Sequence, residues 1–239
     1  MDLFSQEIER SELKKGDHVY VWRMVLLYNH HGQFKFLCFF YSFAVAIDLI
    51  CNKKHTYACT CAGIYVGDGK IIHFVDPRMD GSFLSSSSSS SSLTRCRMSC
   101  CGSEKVAGSG VRMSCIDCFI ENGSLCRYKY QAEKWFVVFK LRRGTCTTAR
   151  SDRPEEVVHR ATYLFENGYV EYDLEDNNCE DFALYCKTGL WSTNKSTQKR
   201  SSQVIFDLNK GIVKLRELGV RKDVVKVPVE ELRLFVSRL

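Results

Sequence analysis

A cysteine at the predicted start of a helix is the residue best suited to covalent chemistry. Cys179 follows the turn-forming pair Asn177-Asn178 and precedes Glu180-Asp181, whose carboxylates suit a first helical turn. The nucleophilic form of cysteine is the thiolate, which the unpaired amides and partial positive charge of a helix N-terminus favour. A nearby imidazole would favour the thiolate further and would carry its proton. The pattern therefore indicates a cysteine nucleophile that needs a histidine partner.

Two stretches of the chain offer that histidine. His30 and His31 precede Gly32, and His73 ends a predicted hairpin. A second interpretation stays open, in which Cys179 is a small buried side chain and the histidines are ordinary surface groups. Residue chemistry alone does not decide between these two interpretations.

The elements that must position these residues follow from local patterns. Alternating apolar residues and turn residues predict strands, and apolar residues at helical spacing predict helices. The predicted strands are residues 13–23, 63–66, 70–74, 108–113, 127–130 and 135–141. The predicted helices are residues 151–167, 179–189, 204–218 and 229–239, with one or two helical turns at 116–121.

The composition excludes several classes of protein. The chain has 239 residues, of which 45% are hydrophobic and 26% charged, so it is long enough for a core and is not a disordered chain. Only three prolines exclude a proline-rich scaffold, and 13 cysteines, about 5%, fall below the disulfide-scaffold range. The first ten residues lack the apolar core of a secretory signal. We therefore expect a reducing, cytoplasmic environment.

The net charge of +6 comes from the C-terminal part of the chain. Residues 187–239 hold twelve Lys or Arg and five Asp or Glu, a balance of +7, and the remainder sums to −1. Such a segment could contact an anionic membrane at its periphery, or it could be a solvated helical face. We expect no nucleic-acid partner, because no reader motif or basic run with interleaved aromatics is present. The apolar run at 36–47 is shorter than a membrane span and predicts a buried or interfacial helix.

Further cysteines have the spacing of a metal or redox motif. Cys115 and Cys118 are separated by two residues, and Cys100-Cys101 precede them. Four thiolates could form a zinc site. We favour buried thiols instead and expect no metal, because Cys100-Cys101 lie beside an eight-serine run within a predicted flexible loop at 82–94.

Four motifs occur in an order that resembles the lecithin:retinol acyltransferase family, and in particular its plant branch, the NC-domain proteins. They are Gly16-Asp17, the segment 63–69 (Gly-Ile-Tyr-Val-Gly-Asp-Gly), Ile72-His73-Phe74 and the segment 178–182 (Asn-Cys-Glu-Asp-Phe). The resemblance covers residues 11–189 and leaves 190–239 as a basic helical tail. It implies an α+β fold of the permuted NlpC/P60 (papain-like) type, with helices packed on a small antiparallel sheet. It implies no metal and no organic cofactor.

The resemblance also implies roles for individual residues. Cys179 matches the nucleophile that carries the acyl group of a phospholipid, and His73 matches the second histidine, which supports the base. The family has its first histidine, the base, three residues before Ile64, where this chain has Cys61. His30 takes that place if residues 33–63 are an insertion, since Gly32 would then directly precede Ile64. Amides at the start of the Cys179 helix would hold the oxyanion.

The insertion is the main departure from the family pattern. Its 31 residues, 33–63, split the first-histidine motif and suggest an unspliced intron, which sequencing the transcript across the junction would test. We expect a cysteine-dependent acyltransferase or thiol hydrolase that acts on acyl lipids. Two alternatives remain, a catalytically impaired member of the family that binds lipid or protein, and a peptidase or amidase of the wider thiol-enzyme superfamily.

Overall fold

Six antiparallel strands form the central sheet of this computed structural model. Their order across the sheet is β1-β6-β2-β3-β4-β5, so β1 and β5 are the edge strands. The structure describes residues 6–23, 59–77, 101, 103–121, 123–139, 145–173, 177–194, 203–207 and 212–239. The strands are β1 (Gln6–Glu7), β2 (His18–Arg23), β3 (Cys59–Gly67), β4 (Lys70–Phe74), β5 (Val111–Cys115) and β6 (Leu125–Arg127).

Five α-helices accompany the sheet. They are α1 (Ile116–Ile120), α2 (Lys134–Phe139), α3 (Pro154–Asn167), α4 (Cys179–Thr188) and α5 (Leu232–Ser237) in the described part of the chain. The prediction of an α+β fold is confirmed. Among the described residues, no helix is long and apolar enough to cross a bilayer. The apolar run at 36–47, His30 and the serine-rich loop at 82–94 lie outside the described residues.

Strand alternation divides the buried residues into two cores. On one face of the sheet, α3 and α4 pack against residues such as Tyr20, Ile64 and Phe74. On the other face, Val19 and Ile71 pack with residues of α1 and neighbouring segments. Successive side chains of a strand point to opposite faces, so neighbours such as Val19 and Tyr20 belong to different cores.

The motif glycines allow close approaches between elements. Gly16 precedes β2 with φ of +84°, and a Cβ at this position would lie 2.9 Å from Cα of Pro154, the first residue of α3. A Cβ at Gly63 would lie 2.7 Å from Cγ2 of Ile71 and 3.0 Å from Cβ of His73. Any larger residue would therefore push α3 away from the start of β2, or β4 away from β3.

Residues 135–141 were predicted as a strand, but α2 covers most of this segment. In a strand, positions 135 and 137 would share a face, yet Trp135 is 59% exposed and Val137 is fully buried. Val137 N donates to the carbonyl of Glu133 at 3.2 Å, which is a helical hydrogen bond. The prediction was wrong because periodicity does not distinguish a short apolar strand from one buried helical turn.

The C-terminal segment was predicted as helical, and this holds only for its end. In place of the predicted helix at 204–218, strands β8 (Gln203–Asp207) and β9 (Ile212–Arg216) pair with each other in antiparallel register. The β-branched and aromatic residues of these two segments favour strands. The segment 229–239 contains a 3₁₀ turn and α5, as predicted.

Parts of the C-terminal segment are docked onto the domain. Strands β7 (Leu190–Ser192) and β10 (Val224–Lys226) pair with each other, and Tyr185 Oη of α4 donates to the carbonyl of Val227 at 2.9 Å. The fully buried carboxylate of Glu217 accepts hydrogen bonds from the hydroxyls of Thr147 and Thr148, and from the amide of Thr148 at 3.0 Å. These contacts make residues 190–192 and 217–232 part of the packed structure.

Candidate functional site

Cys179 is the first residue of α4, as the sequence predicts. Asn178 caps the helix, because its Oδ1 accepts the amides of Glu180 at 2.9 Å and Asp181 at 3.3 Å. The Asp181 carboxylate accepts the Asn178 amide in return at 3.3 Å, which completes a capping box. The cap fixes the backbone on both sides of the Cys179 thiol.

The turn before Cys179 is also fixed by hydrogen bonds. The backbones of Asp173 and Asn177 exchange two hydrogen bonds, of 3.1 and 3.0 Å. The Asn177 side-chain amide donates to the carbonyl of Glu171 at 2.7 Å. Asn177 and Asn178 thus have different tasks, since the first closes the turn and the second caps the helix.

Cys179 is 8% exposed and belongs to the core under α3 and α4. Its helix anchors there through Phe182, whose ring lies 5.3 Å from Tyr169 and 6.0 Å from Phe74 between centroids. The predicted oxyanion site at the start of this helix is partly occupied, because the Glu180 and Asp181 amides already donate to Asn178. A substrate oxygen would have to displace this cap to use those two amides.

His73 lies on β4 and makes its described contacts on the side of α1. Its Nε2 is 2.9 Å from Oγ of Ser114, and its ring meets Phe119 edge-on at 5.4 Å between centroids. Its neighbours Ile72 and Phe74 belong to the core that contains Cys179. Strand alternation therefore puts His73 and Cys179 on opposite faces of the sheet. The supporting role of His73 stays a prediction.

The predicted insertion ends inside strand β3. Cys61 pairs with Val21 on β2, in the position three residues before Ile64 where the family motif has its first histidine. Cys61 packs with the core that includes Ile71, so it shares the face of His73. The last residues of segment 33–63 are thus part of the central sheet, while His30 is not among the described residues.

A buried histidine, not predicted as a site residue from the sequence, lies on the other face of the sheet. His18 is 1% exposed, stacks on Tyr128 at 4.3 Å between ring centroids, and has Nδ1 2.8 Å from Oη of Tyr130. Burial, followed by the charge of Lys187, holds the pKa of His18 well below its usual value. Among the described residues, its Nε2 has no hydrogen-bond partner.

Two tyrosines beside His18 complete a buried polar cluster. Burial, and secondly the charge of Glu180, raises the pKa of both Tyr128 and Tyr130 well above the usual value. The ammonium of Lys187 lies 5.1 Å from the centre of the Tyr130 ring. The sequence does contain a signal for the burial of His18. It lies two residues before the apolar Tyr20 in a predicted strand, so the two side chains share one face of the sheet.

The cysteine motif is brought together more tightly than the sequence analysis expected. The sulfurs of Cys101, Cys115 and Cys118 all lie within 4.8 Å of one another. The cysteines whose side chains are described form no disulfides with one another. This cluster lies at the end of β5, where the strand turns into α1.

Comparisons with known proteins agree with the motif order. The family model described as lecithin retinol acyltransferase matches residues 48–192, which is more than half of the chain. The Arabidopsis thaliana protein called Protein LEAD-SENSITIVE 1 is 37% identical over 212 residues, which cover 86% of this chain and 69% of that protein. No solved structure matches, so the permuted NlpC/P60 arrangement stays a prediction. The matched segment includes Cys179 and His73 and begins after His30.

Proposed function

Because the chain belongs to the lecithin retinol acyltransferase family, we propose that it transfers or hydrolyses the acyl groups of lipids through a thioester on Cys179. The observation that carries this proposal is the position of Cys179 at the first residue of a capped, well-anchored helix. A helix N-terminus favours the thiolate, and the capping box keeps the sulfur in one place for attack.

The proposed reaction has two steps. In the first, the Cys179 sulfur attacks the ester carbonyl, a carbon–sulfur bond forms and the carbon–oxygen ester bond breaks. The thiol proton passes to a base and then to the leaving alkoxide, which departs as an alcohol. In the second, water or an acceptor alcohol attacks the thioester, gives its proton to the same base, and releases the acyl product and the thiol.

We assign the base to His30, with His73 in support. The assignment rests on the motif, in which His30-His31-Gly32 would continue as Ile64 once residues 33–63 are set aside. The contact of His73 with Ser114 supports a positioning role more than direct contact with the thiol. Removal of a general base lowers the rate by about 10² to 10⁴-fold, which sets the expected effect of His30→Ala.

A second candidate function is lipid or protein binding without turnover. Two observations favour it, namely the opposite faces of Cys179 and His73 and the presence of Cys61 at the first-histidine position. In this form the chain would keep the family fold while the base no longer reaches the thiol. The two candidates differ in one measurable property, the formation of an acyl-enzyme.

The C-terminal segment would bring the protein to its substrate. Arg233, Leu234 and Arg238 are exposed on or beside α5, and Leu234 is 54% exposed. An apolar side chain flanked by arginines fits the surface of an anionic bilayer, where each basic residue contributes about 1 kcal/mol. We assign peripheral, salt-sensitive membrane contact to this segment.

The test combines vesicles with cysteine variants. Wild-type protein, Cys179→Ala and Cys179→Ser are mixed with phosphatidylcholine vesicles, with and without anionic lipid, at low and high salt. We expect hydroxylamine-sensitive acylation of the Cys179 peptide by mass spectrometry, and release of fatty acid or an acyl ester. Both variants should lose turnover by about 10³-fold or more, as expected for a nucleophile.

Cys186→Ala is the matched control, because Cys186 is on the same helix and is fully buried. It should retain turnover, and circular dichroism should show that all variants are folded. Turnover that survives Cys179→Ala overturns the proposed mechanism. Wild-type protein that binds vesicles but forms no acyl adduct supports the binding function instead.

A further inference from the structure

Three cysteine sulfurs meet at the junction of edge strand β5 and helix α1. Sγ of Cys101 lies 3.8 Å from Sγ of Cys115, and Cys118 completes a set in which all sulfurs are within 4.8 Å of one another. Cys115 is buried, while Cys101 and Cys118 are half-buried. Cys101 approaches from a different part of the chain, fourteen residues before Cys115. Folding therefore brings the Cys115–Cys118 pair together with a third thiol that is more distant in the sequence.

The spacing of the sulfurs matches that around a tetrahedral zinc ion. With Zn–S bonds of about 2.3 Å, tetrahedral geometry separates two sulfurs by about 3.8 Å. The distance between the Cys101 and Cys115 sulfurs is 3.8 Å, and the Cys118 sulfur lies within 4.8 Å of both. The three sulfurs are therefore close enough together for one metal ion to bind all of them.

Backbone amides already donate to two of these sulfurs. The Cys115 amide donates to Cys101 Sγ at 3.4 Å, and the Cys118 amide donates to Cys115 Sγ at 3.4 Å. Amide donors stabilise the negative charge of a coordinated thiolate, and such outer contacts orient metal ligands. The second of these bonds is also the N-cap of α1, so it fixes the Cys115 side chain at the start of that helix.

The geometry points to a three-thiolate site for zinc, or a similarly thiophilic divalent cation, formed by Cys101, Cys115 and Cys118. Binding converts three thiols to thiolates and releases three protons, so the filled site carries a charge of −1. These three thiolates fill three of the four tetrahedral positions around the ion. Reduced thiols are required, and the described cysteines form no disulfides with one another.

The bound ion would hold two segments, the one around Cys101 and helix α1, against the edge of the sheet. Ser103, two residues after Cys101, bridges to Met113 on β5, and α1 begins directly after Cys115. Ser114 and Phe119, the contacts of His73, lie beside the metal ligands. The ion would thus fix the surroundings of His73 from outside the sheet, as a structural site.

Metal analysis of the full chain tests this inference. Protein purified without chelator under reducing conditions is expected to contain about one zinc per chain, and zinc removal should lower the Tm. Cobalt(II) added to the metal-free protein should give the thiolate-to-cobalt charge-transfer band of a tetrahedral sulfur site. Cys115→Ser and Cys118→Ser should each reduce the bound metal about tenfold at equal protein and zinc concentrations.

Cysteines outside the cluster provide matched controls. Cys126→Ser matches the buried Cys115, and Cys61→Ser matches the half-buried Cys118. Both controls should keep the wild-type zinc content and cobalt spectrum. The site is rejected if the reduced protein holds no stoichiometric zinc and gives no charge-transfer band. It is also rejected if the control variants lose metal as fully as the cluster variants, or if a Cys101–Cys115 disulfide forms in preference to metal binding under reducing conditions.

Discussion

Helices α3 and α4 cover one face of the central sheet, whereas the five-residue helix α1 covers part of the other. The first face has the nucleophile candidate Cys179 and an aromatic core around Phe74 and Phe182. The second has His73, Cys61 and a smaller apolar core. The face under α3 and α4 (the helix-covered face) thus has the larger apolar core, whereas the face under α1 (the α1 face) is covered in part by one short helix.

The order of the family motifs along the chain does not determine which face of the sheet each motif residue lies on. Ile72, His73 and Phe74 are consecutive in one family motif, yet the alternation of β4 sends the histidine away from its two neighbours. A mechanism in which His73 assists Cys179 therefore has to connect residues on opposite faces of the sheet. Variants on each face can test that claim separately.

The largest expected effect is on the helix-covered face. Phe182→Ala should lower the free energy of unfolding by about 3–5 kcal/mol, because Phe182 is fully buried between Phe74 and Tyr169 and its loss leaves a cavity. Urea unfolding followed by circular dichroism measures this change. Phe119→Ala on the other face removes an equally buried ring from a smaller apolar cluster, so its cost should lie nearer 3 kcal/mol. A larger loss for Phe119→Ala would reverse the ranking of the two faces.

The parts of the fold that sequence predicted are those with local causes. Gly67-Asp68-Gly69 specify the hairpin of β3 and β4, and Asn178 with Asp181 specify the start of α4, because turn and cap chemistry acts over a few residues. The predictions of a strand at 135–141 and a helix at 204–218 were wrong. Tertiary packing, not local pattern, decides whether a short apolar run forms a strand or a helix.

The residues of the candidate site also divide into those that local sequence predicts and those whose position depends on tertiary packing. Cys179 was found because a helix start can be read from its neighbours, whereas the face of His73 depends on which neighbours the helices cover. His18 was missed although its parity with Tyr20 was visible. The approach of Cys101 to Cys115 was an alternative that the sequence did not favour, because it depends on the bridge between Ser103 and Met113 that brings these segments together.

The second prediction concerns pH and the buried histidine of the helix-covered face. The pKa of His18 is lowered in the folded protein by burial and by Lys187, while in the unfolded chain it is about 6.5. Below pH 6.5 the unfolded state binds the additional proton, so stability is complete above this pH and is lost as the pH falls toward the folded pKa. The contribution of one such group has a slope of at most about 1.4 kcal/mol per pH unit.

Urea titrations at several pH values between 7.5 and 5 measure this slope. His18→Phe keeps a ring against Tyr128 and should have a shallower pH dependence than wild type. His159→Ala measures the surface contribution separately, because the exposed His159 pairs with Glu230 at 2.9 Å. An identical slope in wild type and His18→Phe would assign the pH dependence to other groups.

The smallest expected effect separates structure from catalysis on the α1 face. Ser114→Ala removes the hydroxyl 2.9 Å from Nε2 of His73 and should cost about 0.5–1.5 kcal/mol of unfolding free energy. A double-mutant cycle with His73→Ala should give a coupling energy of about 1 kcal/mol, because the two groups share one hydrogen bond. If His73 positions the base, His73→Ala should lower acyl turnover well beyond Ser114→Ala and should alter its pH profile. Equal turnover in both variants, together with an unchanged pH profile, would make this hydrogen bond purely structural and confine the chemistry to the face of Cys179.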